Sequence, residues 1–134
     1  MKHYRSSIPK AARERVLATH LKGSQKYKAE YSLSGKVVGE RQFDESGRLE
    51  LERPKKNGLL HGMLYSCDDG VVTFAEPYRK GLAHGIARQW SDDGELIGYH
   101  RIDLLKLGAS HTMRTQPNGV SIQHRQSLVH SNPL

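Results

Sequence analysis

The sequence predicts an all-β repeat: a single-layer antiparallel sheet of stacked β-hairpins with a 23-residue period, preceded by one N-terminal α-helix. Three observations predict it. Gly58-Leu59-Leu60-His61-Gly62 returns 23 residues later as Gly81-Leu82-Ala83-His84-Gly85, and a weaker copy, Gly35-Lys36-Val37-Val38-Gly39, precedes them by the same interval. The closing glycines continue as a column through Gly39, Gly62, Gly85 and Gly108, a spacing in the range of repeat architectures. Between these units the apolar residues alternate, and each alternating run ends in an acidic, glycine-closed turn.

The elements follow in order. Residues 1–7 are polar and read as loose. Ser7-Ile8-Pro9 has the chemistry of a helix start, and Ala11 to Leu21 carries good helix formers with Ala12, Val16 and Leu17 on one side. Gly23 would stop that helix, whose expected task is to cover the open end of the array. A basic amphipathic membrane helix, using Lys10, Arg13, Arg15 and Lys22, is the rival reading, but its apolar side has no Trp or Phe.

From Gly23 the period becomes two. Tyr27, Ala29 and Tyr31 share one face, then Leu49 and Leu51, then Val72 and Phe74, with a later copy at Gly94-Glu95-Leu96-Ile97. A last, degraded copy is expected at Asn118 to Ile122. One class of turn is Asp44-Glu45-Ser46-Gly47, Cys67-Asp68-Asp69-Gly70 and Ser91-Asp92-Asp93-Gly94; the other is Lys55-Lys56-Asn57-Gly58 and Tyr78-Arg79-Lys80-Gly81. Asp and Ser cap such turns and glycine takes the positive φ that a tight hairpin requires. The chain thus divides into an arm and capping helix over residues 1–22, the hairpin array over 23–122 and a polar tail over 123–134.

These units resemble the MORN repeat, in the variant of bacterial antitoxin-type proteins of the YwqK kind. The likeness rests on the two Gly-x-x-His-Gly units, on the aromatics before acidic turns (Tyr65 to Gly70, Trp90 to Gly94) and on Tyr78-Arg79-Lys80-Gly81. It covers about 85 residues. Val38 replaces the histidine in the first copy and the fourth retains only Gly108. The resemblance implies a curved sheet of hairpins without a catalytic centre, used for protein contact, self-association or phospholipid contact.

The composition bounds the function. Of 134 residues, 21 are Lys or Arg and 14 Asp or Glu, giving a net charge of +7, which suits an acidic protein, an anionic membrane surface or nucleic acid. The single cysteine, Cys67, excludes a disulfide framework and a cysteine zinc site. The charged start has no apolar segment behind it, so no signal peptide is expected, and the cytoplasm is the expected compartment.

His61 and His84, two strands apart in neighbouring hairpins, would stand about 9–10 Å from each other, too far to share one zinc ion. Gly58, His61, Gly62, Gly81, His84 and Gly85 are therefore read as turn structure, each imidazole donating to backbone. The acidic pairs Asp68-Asp69 and Asp92-Asp93 are read as turn caps, because adjacent strand residues point to opposite faces. No catalytic set or phosphate loop stands out, so the reading is a non-enzymatic protein that takes no cofactor and no metal.

A single-layer sheet leaves aromatics partly uncovered, and exposed Tyr and Trp rows anchor protein partners. The expected partner-binding residues are Tyr65, Phe74, Tyr78, Trp90 and Tyr99 with Lys55, Lys56, Arg79 and Lys80. The partner expected first is another protein, acidic or a toxin to be neutralised. Membrane lipid comes next, nucleic acid after it, and self-association through the sheet edge is a further route.

Overall fold

The computed structural model describes residues 1–102 and the backbone of the strand 111–115. Gly108, Asn118 to Ile122 and the tail over 123–134 lie outside the described residues. Within them the chain forms a single open antiparallel sheet. Its strands are β1 (Arg13–Thr19), β2 (Lys26–Leu33), β3 (Lys36–Phe43), β4 (Leu49–Lys56), β5 (Leu59–Leu60), β6 (Gly62–Asp68), β7 (Val71–Arg79), β8 (Leu82–Ala83), β9 (Gly85–Trp90), β10 (Leu96–Ile102) and β11 (His111–Thr115). They lie in chain order β1-β2-β3-β4-β6-β7-β9-β10-β11, with the short β5 on β4 and β8 on β7. Along that path each strand lies antiparallel to the next, while β5 and β8 pair with the strand before them and not with the one after.

Local chemistry explains the turns. Ser34-Gly35, Asn57-Gly58, Asp69-Gly70 and Lys80-Gly81 all place both central residues at positive φ, between 51° and 81° or, for Gly81, 85°. That is the two-residue turn whose twist matches the flanking strands. At Asp44-Glu45-Ser46-Gly47 the turn is wider: the Gly47 N–H reaches the Asp44 carbonyl, and Asp44 Oδ1 accepts the N–H groups of Ser46 and Arg48, each at 2.9 Å. Ser91 closes the matching turn, its carbonyl accepting the Gly94 N–H and its hydroxyl the Glu95 N–H.

The His-Gly units break the strands. After the turn at Asn57-Gly58, Leu60 pairs with Lys55; beyond His61-Gly62 the register has slipped by two, and Ser66 pairs with Leu51. The His61 N–H donates to the Pro54 carbonyl at 3.0 Å, and the His84 N–H to the Pro77 carbonyl at the same distance. In the first hairpin, where Val38 stands in place of histidine, β3 runs unbroken with a milder register shift near Tyr31. The substitution that set this copy apart in sequence therefore has a backbone counterpart.

The helix expected between Ser7 and Leu21 is absent, and Arg13–Thr19 is the edge strand β1. A helix there would have buried only Ala12, Val16 and Leu17, too little to hold a short helix. The unpaired edge of β2 offers a full ladder instead, with Glu14 opposite Tyr31, Arg15 opposite Glu30 and Val16 opposite Ala29. Ion pairs Arg15–Glu30 at 2.9 Å and Lys26–Glu14 at 2.6 Å accompany it. Charges and a register shift around Leu17 blunt this edge against further strands.

The core lies on both faces of the sheet. On one face Tyr65, Cys67, Val72, Ala75 and Trp90 form one cluster and Ile8, Ala29, Tyr31 and Phe43 another. On the opposite face Leu60, Tyr78, Ala83 and Ile102 pack together, beside Phe74 and Ala87. Residues 1–7 are expected to be loose and Ile8 to open a helix; instead residues 2–8 lie across the first face as a strap. Among the described residues no helix is long and apolar enough to cross a membrane.

Candidate binding site

The strap turns at Lys2-His3, crosses the sheet and bends at Ser7-Ile8, and Tyr4, Ser6 and Ile8 face inward while Arg5 and Ser7 stay exposed. Ile8 is 4% exposed and sits over Gly39, where a Cβ would come within 2.4 Å of its Cδ1. Gly39 is therefore kept by close approach and not by backbone conformation. Further along, Ser6 Oγ donates to Glu52 Oε2 at 2.7 Å and Tyr4 Oη to Glu52 Oε1 at 2.5 Å. Arg41 Nε meets the same carboxylate at 2.7 Å. Glu52 is completely buried, and these partners replace the water it has given up.

The strap ends on two aromatics. Tyr65 Oη accepts the Arg5 N–H at 3.0 Å and donates to the Arg5 carbonyl at 2.9 Å. The His3 ring stacks on Trp90, with centroids 4.4 Å apart, and its Nε2 lies 2.9 Å from the Gly94 carbonyl. Burial raises the pKa of Tyr65, and burial together with the Glu52 hydrogen bond raises that of Tyr4, so both hydroxyls stay protonated. Burial works against the Arg41 guanidinium, but its hydrogen bonds to Glu52 and Tyr31 outweigh that and hold its pKa up.

Four of the five aromatics expected to stay partly uncovered are thus buried, two on each face. Tyr65 and Trp90 lie under the strap at 4% and 8% exposure; Phe74 and Tyr78 lie on the opposite face at 5% and 8%. Tyr99 is half-buried opposite Arg88. Tyr78 Oη donates to the buried Glu76 at 3.0 Å, and burial and that carboxylate push its pKa well above the ordinary value. Lys56 and Arg79 are exposed at hairpin ends, whereas Lys80 is a turn residue whose N–H donates to His61 Nδ1 at 3.3 Å. The His61 ring therefore accepts a bond from the next hairpin, while its backbone N–H serves its own. Gly81 N–H adds a second link, to the Leu60 carbonyl at 2.8 Å.

Lys55 belongs to a different constellation. It lines a cleft of about 550 Å³ together with Lys28, Glu40, Arg53, Gly58, Leu59, Leu60 and Gly81. Cross-strand pairing puts Glu40 opposite both Glu30 and Arg53, which sets this row on the face away from the strap. Glu40 stands 3.8 Å from Arg53 and from Lys55, too long for a tight hydrogen-bonded pair with either. Arg53 also donates to Gln42 at 3.2 Å, while its Nε is buried and makes no hydrogen bond. Leu59 supplies an apolar rim, half exposed at 50%.

Sequence reading placed Lys55 among the partner-binding residues but did not single out Glu40 or the cleft. It missed the strap contacts altogether, although Tyr4, Ser6 and Ile8 carry a period of two that signals an extended, one-sided segment. Cys67 is buried, and burial pushes its thiol up to about 11, so it is protonated at neutral pH and a poor nucleophile. Among the described residues no group of three or more His, Cys, Asp or Glu is placed to hold a metal ion.

No protein-family model matches the chain, and no curated protein matches it in sequence. Among solved structures it is similar to a chain in the crystal structure of accessory secretory protein 1, 2 and 3 in Streptococcus pneumoniae. The identity is 21% and the TM-score 0.46, over 77% of this chain and 21% of that one. The chain thus spans about a fifth of the length of the protein it matches.

Proposed function

We propose that the chain is a non-enzymatic binding protein of the MORN-like hairpin-repeat kind, and that it holds an acidic segment of another protein in the Lys28–Arg53–Lys55 cleft. The observation that carries this reading is electrostatic. Three cationic side chains surround a single carboxylate there, and one guanidinium N–H is buried with no acceptor. A carboxylate from a partner entering the cleft would pair with these cations, and charge-assisted bonds of that kind contribute about 1.5–3 kcal/mol each. Leu59 beside it would take an apolar neighbour of the acidic residue.

The 23-residue repeat is supported by the recurrence of the Ser34, Asn57 and Lys80 turns at φ values of 52°, 52° and 51°. Pro54 and Pro77, each accepting a His N–H, recur at the same interval. An antitoxin or immunity role, with a toxin as the acidic partner and the cytoplasm as the compartment, is the narrower form of this reading.

The test uses a labelled peptide alternating glutamate and leucine, measured by fluorescence anisotropy at physiological salt. Saturable binding that weakens at least roughly tenfold in the double variant Arg53→Ala/Lys55→Ala supports the cleft, since charge-assisted bonds contribute about 1.5–3 kcal/mol each. Equal binding by the double variant would sink it. So would tighter binding to phosphatidylserine vesicles or single-stranded DNA than to the peptide, because the cations would then serve a phosphate surface.

A further inference from the structure

We propose that the aromatic face under the strap is a peptide-binding site, that its resident occupant is the chain's own residues 2–8, and that it takes the same segment from a second copy. The strap is held as a ligand is held. It forms no strand ladder with the sheet; apart from the two bonds between the Arg5 backbone and Tyr65 Oη, it is held by its side chains, which read a sequence. A ring stacks on Trp90, hydroxyls at two alternate positions meet Glu52, and an aliphatic side chain fills the space that Gly39 leaves free. Ser7 adds register, accepting the Met63 N–H at 3.1 Å.

The receiving surface exists independently of the strap's covalent attachment. Trp90, Tyr65, Glu52, Arg41 and Gly39 belong to four strands of the meander, β9, β6, β4 and β3, which its own ladder holds in place. The link from Ile8 to β1 is short and exposed: Pro9, Lys10 and Ala11 are all at the surface, closed by one turn bond from the Ala12 N–H to the Pro9 carbonyl. That link can open without disturbing the ladder. The vacated face would then leave the Glu52 carboxylate with Arg41 but without either hydroxyl, a costly state. Another copy of residues 2–8 carries every group needed to refill it. Within one chain the strap acts at an effective concentration on the order of millimolar, which sets the concentration at which copies begin to exchange.

The experiment inserts a specific protease site between Lys10 and Ala11 of the full chain and cuts it after folding. Trp90, the only tryptophan of the sequence, reports occupancy directly because His3 lies on it. The expected result is a cut chain that keeps its segment through gel filtration, with unchanged Trp90 emission. It should exchange that segment for a labelled peptide of residues 1–10. The same peptide carrying Ile8→Asp should bind roughly tenfold to a hundredfold more weakly.

Uncut protein at millimolar concentration should show a species of twice the mass that excess peptide dissolves. Collective unfolding on cutting would overturn the inference, since the segment would then be core and not ligand. Failure of the folded, cut chain to take the peptide, or equal binding of the Ile8→Asp peptide, would do the same. Peptide exchange without any two-chain species in concentrated uncut protein would overturn the second copy as occupant. If Ile8→Asp peptide proves insoluble, Gly39→Leu in the cut chain blocks the same position from the other side and should abolish exchange.

Discussion

The two faces of this sheet solve the same problem by different means. A single layer cannot bury both sides of its strands against a second layer. On one side the chain's own residues 2–8 supply the missing cover, and even a fully buried carboxylate, Glu52, is matched there by two hydroxyls and a guanidinium. On the other side, between β2 and β5, cationic side chains face a cleft with one distant carboxylate and a guanidinium N–H that is not hydrogen-bonded. The first side has finished its polar chemistry internally. The second has not, and unmatched polar groups are where a partner gains most.

The comparison is broken most sharply at Glu52. Its replacement by alanine should destabilise the fold by about 3–5 kcal/mol, because Arg41 would be left partly buried without its carboxylate and both strap hydroxyls would lose their acceptor. Urea unfolding of Glu52→Ala against the native chain measures this. A loss below about 1 kcal/mol would mean that the strap network is ornamental and the two faces are alike.

Next in size is Ile8→Ala, which removes most of a side chain 4% exposed above Gly39 and leaves a cavity among Ala29, Tyr31 and Phe43. The expected cost is about 2–4 kcal/mol. Trp90 emission should shift to longer wavelength in the same variant if the strap lifts as one piece. Destabilisation with unmoved emission would show that the two ends of the strap are held independently.

These side chains also mark the boundary of what the sequence disclosed. The hairpin turns were legible because their chemistry is local: an Asn-Gly or Asp-Gly pair adopts its turn whatever lies beyond it. The strap was not, because its bonds join residues 46 to 91 positions apart, as Ser6 to Glu52 and His3 to Gly94 do. Nothing near Tyr4 in the chain signals that a buried carboxylate awaits it. β1 was misread for the opposite reason: its local propensity favours helix, and the free edge of β2 overrode it. In the candidate cleft the charges were legible as residue types. Their convergence depended on cross-strand register, which places Glu40 opposite Arg53.

Alkaline titration reports on the strapped side through Cys67 and Tyr31, while Tyr78, raised in the same direction by burial and Glu76, adds to it from the opposite face. Burial raises Cys67 from 9.0 to about 11, with Glu52 adding to it. Burial and the Glu14 hydrogen bond raise Tyr31 from 10.0 to about 12. In both cases the folded state holds the proton more tightly than the unfolded chain does. The associated stability is complete below the unfolded value and is lost as pH climbs through the folded one. Stability should therefore hold up to about pH 9 and fall between pH 9 and 12. In Cys67→Ala the decline should begin near pH 10, where Tyr31 enters; an unchanged onset would remove the thiol from the account.

The smallest effect on stability is expected where the largest effect on binding is proposed. Lys28→Ala and Lys55→Ala, singly or together, should change the unfolding free energy by no more than about 0.5 kcal/mol, as surface charges outside a tight network do. The 3.8 Å separation of Lys55 from Glu40 leaves little to lose. Removing Lys55 would even relieve crowding of like charge around Arg53, so a slight gain is admissible. Thermal unfolding of the double variant decides the point. A loss above about 1 kcal/mol would show that Glu40, Arg53 and the two lysines already form a satisfied network. The cleft would then be as complete as the strapped face, and the case for an acidic occupant would fall with it.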